Sequence, residues 1–285
     1  MDIVVFGSNG QLGQSLMDVS FNYPQHNMLF TDIDTVDIRK YQQVLNFVSR
    51  NYPTVLINCA AYTGVDDAER FVDPAKALNT FAVENLAKIA AEKNIFLVHV
   101  STDYIYDGKQ YKPYKETGNV HPVSTYGRTK WKGEVAVMRS GCRYAIIRTS
   151  WLYSEYGNNF VKTMLQKSEE QDELKVVYDQ IGTPTYARDL AEAIMQIVSQ
   201  NEQMEQSETF HYSNEGIASW YDFAVEIMRL AQRDTKIIPI LTSQHQTIAK
   251  RPLFTVLDKQ KIKSQYDITI PHWRDSLEKC MKNIL

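Results

Sequence analysis

Short apolar runs alternate with longer amphipathic stretches along the first half of the chain. The runs IVVFG (3–7), MLFTD (28–32), TVLINCA (54–60), IFLVHVST (95–102) and YAIIRTS (144–150) predict buried strands. Between them, segments near 11–20, 38–52, 73–94 and 125–140 carry apolar residues at helical spacing and predict helices. Strands that are apolar on both faces, joined by crossovers of this length, predict a parallel sheet covered by helices on either side.

Beyond residue 150 the rhythm loosens. GNNFVKTMLQKSEE and YARDLAEAIMQIVSQ predict helices, and ELKVVYD and ETFHYS (208–213) predict strands. SWYDFAVEIMRLAQR begins a helix with Ser219 as its cap. The expected architecture is a large α/β domain from residues 1–150 plus a returning segment near 186–214. A smaller mixed α/β lobe, about 151–185 plus 215–285 and closed by a helix, is expected to take the substrate. No internal repeat or low-complexity segment is present.

Net charge narrows the partners. At −3 over 285 residues, without a long basic run, the chain does not look built for nucleic acid. No apolar stretch approaches the roughly 20 residues that span a bilayer. The start, MDIVVFGSNG, lacks the basic region and cleavage site of a secretion signal. The cysteines, Cys59, Cys142 and Cys280, are far apart and lack metal-ligand spacing, so no metal site is expected and a reducing cytoplasm is the expected location.

The first strand runs into the most informative stretch. IVVFGSNGQLG places Gly7, Gly10 and Gly13 between a strand and a helix. Gly7 permits a tight turn, Gly10 lets the backbone approach a ligand, and Gly13 lets helix and strand pack closely. The helix start offers unpaired N–H groups and a positive dipole end, which suit a pyrophosphate. The spacing is G-x-x-G-x-x-G, where the standard dinucleotide fingerprint is G-x-G-x-x-G. Asp32, 19 residues after Gly13, ends the second predicted strand and can accept hydrogen bonds from an adenosine ribose; Asp34 and Asp37 are rivals. These features predict a Rossmann-type, doubly wound sheet with NADPH or NADH as cofactor. No basic residue directly follows Asp32, which leans toward NADH, while Arg39 leaves NADPH open.

A second pattern is STYGRTKWKGE (124–134), in which Tyr126 and Lys130 stand one helical turn apart. An ammonium beside a phenol is expected to lower its pKa from about 10 toward neutrality. With 17 tyrosines in the chain, chance matches occur. One is Tyr111–Lys115, where Pro113 and the flanking Gly108 and Gly118 predict a loop. At the end of the fourth strand, HVSTDYIYDG offers the hydroxyls of Ser101 and Thr102. A hydroxyl, a tyrosine and a lysine beside a nicotinamide are the parts of a carbonyl reductase.

This set resembles the extended short-chain dehydrogenase/reductase family, and within it the branch that reduces 4-keto sugars carried on dTDP. The matching segments are GSNGQLG, NCAAYTGVDDAE, ALNTFAVENLA, VSTDYIYDG, YGRTK, RTSWLY, GNNFVKTML, DQIGTPTYARDLA and RPLFTVLD. Cys59, Gly64 and Thr255 depart mildly from the family pattern. The resemblance implies hydride transfer to C4 of the sugar, with Tyr126 as general acid, Lys130 on the nicotinamide ribose and Thr102 on the carbonyl oxygen. It implies a cofactor wall of Gly10, Gln11, Leu12, Asp32, Asp37, Ile38, Ala60, Ala61 and Thr63. Asp103 would position the substrate or serve as a turn residue. Trp151 would flank the sugar or nucleotide, or belong to the core. Arg251 would bind the diphosphate or make a salt bridge in the small lobe. Asn158 and Asn159 would touch the same ligand or shape the turn before a helix, and Asn79 would support the site through water or face solvent. A homodimer is possible, and whether a metal supports it is open.

Two rival readings stand beside the reductase. One is a related sugar-nucleotide epimerase or dehydratase, although related dehydratases carry Asp-Glu where this chain has Asp103-Tyr104. The other is a non-catalytic subunit like the regulatory subunit of methionine adenosyltransferase, which resembles these reductases.

Overall fold

The structure is a computed structural model and describes residues 1–200 and 207–285. Five predicted strands form as β1 (Asp2–Phe6), β2 (Asn27–Thr31), β3 (Val55–Asn58), β4 (Phe96–Thr102) and β5 (Tyr144–Thr149). With Glu208–His211 they make one six-stranded sheet, in the order Glu208–His211, β5, β4, β3, β1, β2. Every pairing in it is parallel.

Alternation along each strand divides the apolar residues between two cores. Ile3, Val5, Ile57, Val98 and Ile147 face α1 (Gln11–Ser20) and the helix Ala187–Gln200. Val4, Phe6, Leu56, Leu97 and Ile146 face α2 (Tyr41–Asn51) and the helix Ala82–Glu92, together with Val137 of the helix Thr125–Arg139. Each fully buried aliphatic chain contributes about 1.5–3 kcal/mol, so the sheet is held from both sides. Ile262, Tyr266, Ile268 and Ile270 reach back from the C-terminal part into the first of these cores.

The expected helix 73–94 is interrupted. It consists of Val72–Lys76, a π-helical turn Ala77–Phe81 and Ala82–Glu92. π-turns of this kind recur where a side chain must be aimed away from the regular helical face.

A third core gathers Tyr153, Val161, Met164, Tyr186, Phe223, Trp273 and Leu277. It lies among the helices Phe160–Glu170, Trp220–Leu230 and Trp273–Ile284 and a parallel pair, Glu173–Val177 with Lys236–Ile240. Ser219 caps its helix as expected, in a reciprocal box with Asp222. The segment near 186–214 lies against the large sheet through Ala187–Gln200 and Glu208–His211; its residues 201–206 are outside the described residues. Among the described residues no helix is long and apolar enough to cross a membrane.

Candidate active site

The chain leaves β1 toward β2 on one side and returns to β3 on the other, and this divergence opens a crevice at the carboxyl ends of the strands. A cleft of about 800 Å³ occupies it. Gly7 turns there with φ +80°, and a Cβ would stand 2.5 Å from the Ala60 amide nitrogen. A Cβ on Gly13 would stand 2.3 Å from the Gly7 carbonyl oxygen. Gly13 therefore seats α1 against the turn and does not line the cleft, whereas Gly7, Gly10, Gln11 and Leu12 do. No side chain caps α1 and no acid occupies its first turn, so its amide end suits an anion.

Of the three rival acids, Asp32 and Asp37 line the cleft and Asp34 is exposed outside its wall. Asp32 accepts the Asn9 amide at 2.9 Å and the Ile33 amide at 2.7 Å, which ties it to the glycine turn. Asp37 is gripped by Arg39 through Nε at 2.8 Å and Nη2 at 2.9 Å. That guanidinium holds the Asp37 carboxyl below the usual range. Ile38, Ala60, Ala61 and Thr63 complete this end.

The other end is built on the helix Thr125–Arg139. Ser124 caps it by accepting the Gly127 amide at 3.1 Å, and the Glu69 carboxylate accepts the Thr125 amide at 2.7 Å. Both Tyr126 and Lys130 line the cleft, while Tyr111 is 85% exposed in a loop, so the chance match is excluded. Lys130 Nζ donates to the Val100 carbonyl at 2.6 Å.

The phenol corrects one expectation. Burial pushes the Tyr126 pKa up to about 12, opposed by a hydrogen bond with Thr102 and reinforced by the Asp103 carboxyl. Lys130, turned to Val100, does not pull it down. Desolvation outweighs the helical neighbour, and the Tyr126 phenol stays protonated near neutrality. Tyr104 supports it edge-on, with ring centroids 5.6 Å apart.

Strand alternation separates the two candidate hydroxyls. Ser101 donates to buried Glu134, whereas Thr102 donates to Asp103 at 3.1 Å and stands beside Tyr126. Asp103 is only 1% exposed. Burial raises its pKa to about 7, against the pull of the Thr255 and Thr102 hydroxyls.

The solvent-facing reading of Asn79 is excluded. The π-turn buries it completely, and it accepts the Tyr62 amide at 2.8 Å while donating to the Tyr62 carbonyl and the Thr129 hydroxyl. It pins the 60–63 loop to the helix that carries Lys130.

An aromatic wall closes the cleft. Trp151 adopts φ +47°, an uncommon backbone for a large side chain. Its ring stacks on Trp220 at 3.7 Å and 9°, and a Cβ on Gly182 would stand 2.7 Å from it. Both tryptophans line the cleft, as do Asn158 and Asn159. Asn159 also caps Phe160–Glu170 and donates to Gln11 at 3.0 Å. Arg251 does not join the cleft wall. It pairs with Asp66 at 2.6 Å, and Asp66 in turn accepts the amides of Ile248 and Ala249. Trp220, Asp66, Glu69 and Glu134 were not singled out from the sequence. Only Glu134, four residues past Lys130, left a usable spacing signal.

With this geometry established, the family is decided by a model described as "RmlD substrate binding domain", which matches residues 1–285. The chain belongs to this family. A relative named dTDP-4-dehydrorhamnose reductase, from Aggregatibacter actinomycetemcomitans, is 38% identical over 97% of both chains. A crystal structure of a dTDP-4-dehydrorhamnose reductase from Clostridium acetobutylicum superposes with TM-score 0.93 at 40% identity, covering 99% of both chains. Another, from Bacillus anthracis in complex with NADP, gives TM-score 0.93 at 35% identity over 99% of this chain and 98% of that one.

Proposed function

We propose that the protein reduces the C4 keto group of dTDP-4-dehydro-L-rhamnose to give dTDP-L-rhamnose, with NADPH or NADH as reductant. The observation that carries this reading is the Tyr126 phenol, held protonated by burial, with the Thr102 hydroxyl beside it in the cleft that the glycine turn enters. The similarity to named reductases supplies the sugar nucleotide.

The residues fit a dinucleotide: the turn that only glycine can make, the uncapped amide end of α1, and Asp32 and Asp37 on the same wall. Bound NAD(P)H would supply the hydride that C4 receives. Lys130 would hold the nicotinamide ribose hydroxyls. Thr102 would hydrogen-bond the ketone oxygen as negative charge develops there, an interaction that strengthens in the transition state. Tyr126 would deliver the phenolic proton to that oxygen. A protonated Asp103 would donate to Thr102 Oγ1 and free the threonine's own hydrogen for the substrate. The Trp151–Trp220 wall and Asn158 are the candidates for holding the sugar and its nucleotide, with the third core as the substrate lobe's frame. Arg251, engaged by Asp66, would act on the diphosphate only after exchanging partners.

Dehydration needs a base beside Asp103, and the residue there is Tyr104, whose phenol burial pushes well above its ordinary pKa. Purified protein is incubated with NADPH or NADH and dTDP-4-dehydro-L-rhamnose, and the reduced-nicotinamide absorbance is followed. Loss of absorbance that depends on the sugar is the expected result; its absence refutes the reductase and favours a non-catalytic subunit.

A further inference from the structure

Behind the cleft lies a buried ion pair that the proposed reaction does not use. Glu134 is fully buried and Arg148 is 3% exposed. Arg148 donates to the Glu134 carboxylate through Nη2 at 2.8 Å and Nε at 3.1 Å. Ser101 adds a hydroxyl donor, and Arg148 Nη1 reaches the Tyr106 hydroxyl at 2.9 Å. The guanidinium also lies 5.7 Å from the Tyr106 ring centroid and 5.9 Å from that of Trp131. Removing two charges from water costs several kcal/mol per ion, and well-packed apolar residues often replace such pairs without loss of stability. The pair therefore invites a reason beyond stability.

Its position supplies one. Glu134 follows Lys130 by one helical turn, so the two side chains share a helix face. Ser101, which binds Glu134, is the strand neighbour of Val100, which binds Lys130 Nζ. One short segment of β4 thus fixes both groups. We propose that Glu134 is a positioning residue for Lys130, a fixed negative charge that keeps the ammonium protonated in a site where burial favours its neutral form, with Arg148 and Ser101 holding Glu134 in place.

The surroundings of Lys130 agree. Three titratable side chains bear on it: Glu134 from its own helix, Cys59 from the end of β3 and His99 from β4; the charged Arg148 of β5 is bonded to Glu134, and Tyr126 lines the same cleft. Burial brings Lys130 down to about 8, and Glu134 is the strongest influence in the opposite direction. Burial pushes the Cys59 thiol up to about 12 and holds His99 well below the usual imidazole range. With Tyr126 also pushed up to about 12, these three are uncharged near neutrality. Glu134 supplies the anion one turn along the helix face that carries the amine. The consequence for function rests on the role proposed for Lys130 on the cofactor ribose.

The test compares Glu134→Gln with the double variant Glu134→Gln/Arg148→Met, which leaves no unpaired buried guanidinium if the single variant folds poorly. The Lys130 titration is followed by NMR at its side chain, assigned through Lys130→Arg, in folded protein without ligand. The midpoint is expected to fall by one pH unit or more in Glu134→Gln, and by less in the double variant, where the opposing Arg148 charge is also removed. In sugar-dependent NADPH oxidation the alkaline limb of kcat/KM should move down by the same amount, a loss of about tenfold at pH 9, with Glu134→Asp restoring most of it. A Lys130 midpoint that does not move in the folded double variant overturns the proposal, as does a loss of activity equal at every pH. The titration requires no turnover, so its outcome is separate from that of the reductase reading.

Discussion

Asp103→Asn isolates a single buried acid. The carboxyl is 1% exposed, and burial moves its pKa from 3.8 to about 7 in the folded chain. Because the folded value is raised, the folded state binds more protons than the unfolded chain between about pH 4 and pH 7. Stability attributable to this group is complete below the unfolded pKa and is lost as pH rises through the folded one. The shift of about 3 units corresponds to about 4 kcal/mol at roughly 1.4 kcal/mol per unit. Between pH 5 and pH 8 about two of those units are crossed, or roughly 3 kcal/mol. Over 285 residues, at about 2.1 cal/mol/K per residue, that is a change in Tm of about 5 °C. Parent and variant are melted side by side from pH 5 to pH 8, so that the other carboxylates cancel. The variant should gain about 5 °C on the parent across this window. A difference that stays constant with pH within 1 °C would show that Asp103 is ionised throughout, and the link from Asp103 through Thr102 to the ketone would fall.

Three further outcomes follow from the site. Tyr126→Phe should lower kcat by about 10²–10⁴; cofactor affinity, read by fluorescence titration, should change little, and a kcat within threefold of the parent would remove Tyr126 from its role. Gly182→Ala puts a Cβ 2.7 Å from the Trp151 ring, so the ring must shift. Roughly 10–100-fold in kcat/KM for the sugar nucleotide should be lost while cofactor affinity holds, and equal losses for both ligands would argue against a substrate-facing wall. Glu69→Ala removes the acceptor of the Thr125 amide and hydroxyl at the start of the Tyr126 helix. A loss of about 1–3 kcal/mol, read as a fall in Tm, is expected, and an unchanged Tm would mean that water replaces the carboxylate at no cost.

The parallel sheet and the glycine turn were legible because they rest on local rules. Strands apolar on both faces can only be interior, and the Gly7 turn and Gly13 contact need residues without a Cβ. The Tyr126–Lys130 pair was legible from spacing, and the competing Tyr111–Lys115 pair could be dismissed from Pro113 and the flanking Gly108 and Gly118. The direction of the Tyr126 shift was not legible, because desolvation depends on how the third dimension closes over the phenol. The burial of Asn79 was not legible because the pattern reads as a regular helix where the chain makes a π-turn. Arg251 and Asp66 are 185 residues apart, and nothing local announces their pairing. Glu134 finds its partners only where two neighbouring strands, β4 with Ser101 and β5 with Arg148, are laid against its helix, which no local pattern announces.

The most direct test of the proposed chemistry is the fate of the transferred hydrogen. Reduced cofactor deuterated at the transferring C4 position is supplied with dTDP-4-dehydro-L-rhamnose in ordinary water, and the sugar product is examined by mass spectrometry and NMR. One deuterium bound to C4 of the sugar, in step with cofactor oxidation and slowed about 10²–10⁴-fold in Tyr126→Phe, is the predicted result. A product without carbon-bound deuterium, or turnover without net cofactor oxidation, would contradict it.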